Sequence, residues 1–140
     1  MNMNAFHKLL LTAVFTFSAA SASADVIAER TSNFSASGKA MRAMGQMIGS
    51  GDLESVAIEA EKLAAWADMI PDHFPVGSES RGANPAIWSD FETFTQLSVN
   101  FGDAARALME ATKTGDAAIV SVKMGEMGGT CKACHRQFKN

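Results

Sequence analysis

Cysteine is nearly missing from this chain: there are two, Cys131 and Cys134, three residues apart near the C-terminus. That excludes a disulfide-stapled scaffold. A bond between them would close a very small loop, tie nothing distant together and gain little from chain entropy. Tyrosine is absent altogether. No stretch shows sustained period-two alternation or a hairpin dipeptide between apolar runs, which argues against strands. There is no basic run, so nucleic acid and anionic membrane are poor partners. No apolar run reaches the roughly 20 residues of a membrane span.

What is present begins with a leader. Lys8 precedes a mostly apolar stretch from Leu9 to Ala20, and Ala22-Ser23-Ala24 is a small-x-small cleavage signal. The expectation is a signal peptide over residues 1–24, cut after Ala24, and export as a soluble protein to the periplasm. Removing Lys8 with the leader leaves 11 basic against 15 acidic residues, a net charge of about −4 on about 116 residues, enough for one domain with a real core.

Four apolar-periodic segments follow. The first runs from about Val26 to Ile48 through Arg30, Phe34, Met41 and Met44, and ends at Gly49-Ser50-Gly51-Asp52. Asp52 is placed to cap the second, Leu53 to about Ile70, which Pro71 stops. An irregular stretch, Asp72 to Ala83, leads to Asn84-Pro85, a cap followed by proline at the first helical position. The third segment carries Ile87, Phe91, Phe94, Phe101, Ala105 and Leu108. After Lys113-Thr114-Gly115-Asp116, the fourth runs from about Ala117 to Phe138 with Val120, Met124, Met127, Cys131, Cys134 and Phe138 in three-four alternation. The expectation is an all-α, antiparallel four-helix bundle. Gly38, Gly45, Gly125, Gly128 and Gly129 lie inside helices at a cost in propensity. They permit either the close approach of something flat or ordinary close helix packing.

Cys131 and Cys134 share a helix face, and His135 projects beside them. Two thiols at this spacing suit thioether links to the two vinyl groups of one haem, with the adjacent imidazole ligating iron from the same side; C-x-x-C-H is the attachment signature of c-type haem. Zinc needs about four ligands, and beyond this motif the mature chain offers only His73 and carboxylates. A thiol-disulfide oxidoreductase carries C-x-x-C at a helix N-terminus in a βαβ setting, whereas this pair closes a helix. The cofactor is therefore one covalent haem c, with His135 as the proximal ligand. The second axial position is open to several readings. His73, or a methionine such as Met41, Met44 or Met47, could fill it, or it could stay open; most methionines here suit core filling.

At this point the sequence resembles the cytochromes c′, the class II c-type cytochromes, over the whole mature chain, 25–140. The likeness rests on C-K-A-C-H at the C-terminus, on FPVGSESRGANPAIWSDFETF from Phe74 to Phe94, and on R-x-x-x-F-x-x-x-x-x-x-M-x-x-M from Arg30 to Met44. It implies that Arg30 lies near the haem propionates and that Phe34 occupies the distal position. There, relatives with an open, five-coordinate iron carry a large apolar side chain, and low-spin relatives carry a ligating methionine. It further implies a homodimer through the first two helices. Lys139 stands where many members have arginine. An ammonium cannot stack over an imidazole as a guanidinium does, which puts that residue's proximal role in doubt.

The resulting expectation is a haem protein, not an enzyme, that binds NO and CO at an apolar distal pocket and undergoes one-electron redox; its redox partner is not specified. The alternative is a low-spin, six-coordinate electron carrier with a methionine ligand from helix one. Trp88 is expected in the core or at the haem edge, and Trp66 inside the bundle or in a dimer face.

Overall fold

The computed structural model describes residues 18–140, and their side chains from residue 22 onward. Most of the expected leader therefore lies outside the described residues. The elements are α1 (Ser18–Ser50), α2 (Leu53–Met69), a 3₁₀ turn over Pro71–His73, α3 (Ala86–Ser89), α4 (Phe91–Thr112) and α5 (Ala117–Phe138). The four long helices form the expected bundle. Around its ring, α1 packs on α2, α2 on α4, α4 on α5 and α5 on α1. Among the described residues the sole β-type pairing is a single bridge between Ala83 and Lys139. No described helix is long and apolar enough to cross a membrane.

The helix boundaries follow from caps. Asp52 accepts from Ser55 N at 3.1 Å, and Asp116 accepts from Ala118 N at 2.8 Å and Ile119 N at 3.3 Å. Each carboxylate satisfies amide donors that a helix start leaves unpaired. One boundary differs from the sequence expectation. The third segment is not one helix but a single turn, α3, and then α4. Asn84 Oδ1 caps the short turn by accepting from Ala86 N at 2.9 Å. The break falls at Asp90, whose backbone leaves helical geometry (φ −135°, ψ 55°) and whose side chain restarts the helix at Thr93 N. A second Asp cap inside an otherwise continuous apolar period is what the periodicity concealed.

The core is unevenly shared. α2 buries Val56, Ala60, Leu63, Ala64, Trp66 and Ala67; α4 buries Phe94, Ser98, Phe101, Gly102, Ala105, Leu108 and Ala111. Small residues let these two helices approach closely. A Cβ on Gly102 would stand 3.2 Å from Ala67 Cβ and 3.0 Å from an Arg106 guanidinium nitrogen, so any larger residue would push the seam apart by a few tenths of an ångström. Ser98 Oγ donates to Ala67 O across the same seam at 2.6 Å, and Arg106 pairs with Asp68 on its rim. By contrast, α5 buries only Val120, Met127 and Phe138, and α1 contributes Arg30 and Met44.

This bears on the helix glycines. No protein atom lies within 4 Å of a Cβ built on Gly45, Gly125 or Gly129, and Gly38 and Gly128 meet only the ends of Arg42 and Met41 at 3.7 Å. Close helix packing is served by Gly102, which the sequence reading did not single out.

Candidate haem site

The C-x-x-C-H motif occupies the last two turns of α5. Cys131 and Cys134 are free, half-buried thiols packed against the core cluster, on one face as their spacing requires. His135 is exposed beside them. Burial pushes the Cys131 thiol up, and pushes Cys134 up to about 11. Both are therefore neutral thiols at pH 7, unlike the low-pKa cysteine of a thiol–disulfide oxidoreductase. Although its side chain reaches solvent, partial desolvation beside the bundle end, and then the nearby Lys139 charge, hold His135 below the usual imidazole range. Its ring is neutral at pH 7, so a nitrogen lone pair is available to a metal. Among the described residues no three or more His, Cys, Asp or Glu side chains gather as a metal-holding group.

The end of α5 is sewn to the α2–α3 connection. Phe138 O accepts from Asn84 N at 3.0 Å, Asn140 N donates to Gly82 O at 3.4 Å, and the Asn84 and Asn140 side chains bond at 3.1 Å. Lys139 lies in this clasp, with extended backbone and its N–H on His135 O. A relay of aromatic rings then runs from α5 to α1. Phe138 meets Phe94 edge-on (centroids 5.4 Å), Phe94 meets Phe74 (4.8 Å), and Phe74 lies 6.4 Å from Phe34. The two edge-to-face pairs, Phe138–Phe94 and Phe94–Phe74, each contribute about 0.5–1.5 kcal/mol beyond area burial, and Phe74–Phe34 is tilted at 60°. Through them Phe34, on α1, is brought to the same end of the bundle as the motif.

Arg30, one turn before Phe34, is 3 % exposed. Its guanidinium donates to His73 O (3.0 Å), Ser78 Oγ (2.9 Å), Ser78 O (2.5 Å) and Ser80 Oγ (3.0 Å), and lies 4.2 Å over the Phe74 ring. The loop can do this because it turns at Pro75-Val76-Gly77-Ser78. Ser78 N returns to Pro75 O at 3.1 Å, with Gly77 at φ +87°, the third-position glycine of a type II turn. Ser78 thereby presents hydroxyl and carbonyl to the same cation. All four acceptors are neutral. Burial holds the guanidinium below its ordinary pKa, and the attraction of Glu79 only partly opposes this. Ser78 and Ser80 escaped the sequence reading: they are 48 and 50 residues from Arg30, and no helical or turn spacing links them. The one local signal was the turn itself.

The two tryptophans are settled by their surroundings. Trp66 is buried inside the bundle, not on an outer face. Trp88 is half-buried and donates to Phe74 O at 3.0 Å and Pro75 O at 3.2 Å, pinning the start of the loop. Met44 is fully buried, while Met41 and Met47 lie partly buried at the edge of the core.

A haem group fits these residues by their chemistry. There are two neutral thiols on one helix face, a neutral imidazole next to them, and a buried cation whose bonded partners carry no charge. Fold and motif together define a c-type haem protein built on a four-helix bundle. The family model described as cytochrome c′ matches residues 25–139. Cytochrome c′ from Rhodospirillum rubrum is 39% identical over 116 residues, covering 79% of this chain and 78% of that protein. Cytochrome c-556 from Agrobacterium tumefaciens is 36% identical, covering 63% and 72%. A nitric oxide complex of a mutant cytochrome c′ from Alcaligenes xylosoxidans superposes with a TM-score of 0.76 at 26% identity, covering 84% of this chain and 95% of that one. The chain belongs to the cytochrome c′ family, and its cofactor is one covalent haem c held through Cys131 and Cys134.

Proposed function

We propose that this protein binds nitric oxide and carbon monoxide at a five-coordinate, high-spin haem iron, with His135 as its protein ligand. The observation that carries this reading is Phe34. It stands at the position matched to the family's distal residue and presents a phenyl ring, which has no lone pair to give to iron. The rings around it, Trp66 and Phe74, keep that side apolar. Bound dioxygen gains from a hydrogen-bond donor, whereas NO and CO depend on one much less. The relative whose structure is a nitric oxide complex supports the same direction.

The chain's own residues supply position and charge. Cys131 and Cys134 fix the porphyrin on α5, and His135 gives a neutral imidazole nitrogen to the metal. Arg30, held by the loop, offers its uncompensated charge to a propionate, since a buried carboxylate without a partner is costly. The haem supplies one-electron redox and the gas-binding metal. The role is binding rather than catalysis, in keeping with the cytochrome c′ family. The site belongs to an exported, periplasmic protein cut after Ala24 and assembled as a homodimer through α1 and α2, where Ile58 leaves 47 % of its surface exposed.

One optical experiment tests the reading. The ferrous holoprotein should give a high-spin spectrum that changes on adding CO, and it should form no stable oxy complex. A six-coordinate, low-spin spectrum indifferent to CO would replace it with an electron carrier ligated by an α1 methionine.

A further inference from the structure

Phe34 is not fixed by the core, for 36 % of its surface is exposed. Two rings touch it. Phe74 is tilted at 6.4 Å, and Trp66 of α2 meets it closer and edge-on, at 5.4 Å and 81°. Trp66 is 5 % exposed and is backed by a second edge-on ring, His73, at 4.9 Å and 71°. His73 is itself tied down. Its Nδ1 donates to Met69 O at 2.9 Å, its Nε2 lies 3.4 Å from Glu29 Oε1, and its carbonyl accepts from Arg30. The chain Glu29–His73–Trp66–Phe34 therefore leaves α1 and returns to α1 about one turn later. Trp66 Nε1 is the one buried side-chain polar atom among the described residues without a hydrogen-bond partner. A buried indole normally finds an acceptor for its N–H. Here its two nearest rings, Phe34 and His73, meet it edge-on and make no hydrogen bond to it. The indole is thus held by the shape of its surroundings rather than by a hydrogen bond of its own.

We propose that Trp66 is a positioning residue for the distal side: wedged between His73 and Phe34, it sets the orientation of the Phe34 ring and so the rate at which a diatomic ligand reaches the iron. This rests on the reading of Phe34 as the cover of the open coordination position. Trp66 acts through Phe34 and makes no bond to the ligand.

The test is CO recombination after flash photolysis in the ferrous holoprotein, with the C–O stretching frequency of the adduct as a second readout. Wild type, Trp66→Phe, Trp66→Ala, Phe34→Ala and the double variant Phe34→Ala/Trp66→Ala are compared at equal haem content, with leucine replacing alanine at whichever position fails to load haem. Trp66→Ala should speed association roughly ten-fold, about 1.4 kcal/mol of barrier, and shift the C–O stretch. Trp66→Phe, which keeps a flat ring and removes the N–H, should stay within about two-fold of wild type, as a packing role requires. In the Phe34→Ala background, loss of Trp66 should change the rate no further. If Phe34→Ala is fast but Trp66→Ala behaves as wild type, or if the two effects simply add, the inference fails and the reading of Phe34 stands. A C–O shift in Trp66→Phe alone would make the indole a direct donor and overturn it too. If Phe34→Ala leaves the rate unchanged, the reading of Phe34 falls, and the inference with it.

Discussion

The bundle has two unlike halves. α2 and α4 meet along a seam of small residues, Ala60, Ala64, Ala67, Ser98, Gly102 and Ala105, all buried, and their polar exceptions are bonded across it. α5 carries the haem attachment, and α5 and α1 are covered far less. Phe34 is partly exposed, and Met41, Met124, Cys131 and Cys134 are only partly buried. Burial is divided by helix pair. One pair buries most of the side chains it brings to the core. The other keeps apolar side chains incompletely covered by protein, where a flat apolar group can complete the burial.

Four perturbations sharpen or break this division. The largest concerns the less covered pair: Cys131→Ser/Cys134→Ser should abolish covalent pigment completely, so that acid–acetone extraction removes all colour from the variant and none from the wild type. Circular dichroism should still show a largely helical chain; a collapse of helicity would mean that the α2–α4 seam cannot stand without the haem. Next, Arg30→Met removes the cation from four acceptors and leaves the buried Ser78 hydroxyl and carbonyl short of a donor. Urea unfolding should show a loss of about 2–4 kcal/mol, and a change below 1 kcal/mol would deny the loop its dependence on that charge. Third comes a paired glycine test. Gly102→Ala forces a methyl group against Ala67 and should cost about 1–3 kcal/mol. Gly45→Ala, with open space around its Cβ, should instead gain about 0.5–1 kcal/mol in helix propensity. Equal effects at the two sites would erase the distinction between the halves. Smallest, Asp116→Ala removes the cap from the helix that carries the motif, at about 1 kcal/mol. Its thermal midpoint should fall while the optical spectrum stays unchanged.

Sequence periodicity made the four long helices legible because each buries an apolar stripe against the others, and the aspartate caps marked where they start. It failed at Asp90, where a cap sits inside an unbroken stripe. It also could not find the α2–α4 seam, because Gly102 and Ala67 are ordinary small residues until another backbone faces them. At the site, the attachment cysteines Cys131 and Cys134 were readable because their chemistry depends on local spacing along one helix, and His135 was proposed from the same spacing. Arg30 and Phe34 came from likeness to a family rather than from spacing. Ser78, Ser80 and the wedge of Trp66 against Phe34 were invisible, since each depends on a contact between segments more than 30 residues apart.

Gly77 shows how far a single backbone angle can reach. Nothing lies within 4 Å of where its side chain would be, so bulk is not what bars other residues; the angle of +87° is. Any L-residue placed there would favour reopening the loop and draw Ser78 away from the guanidinium. A survey ranking positions by the contacts their side chains make would pass this one over, although it governs whether the only buried cation in the molecule's described part keeps its seat.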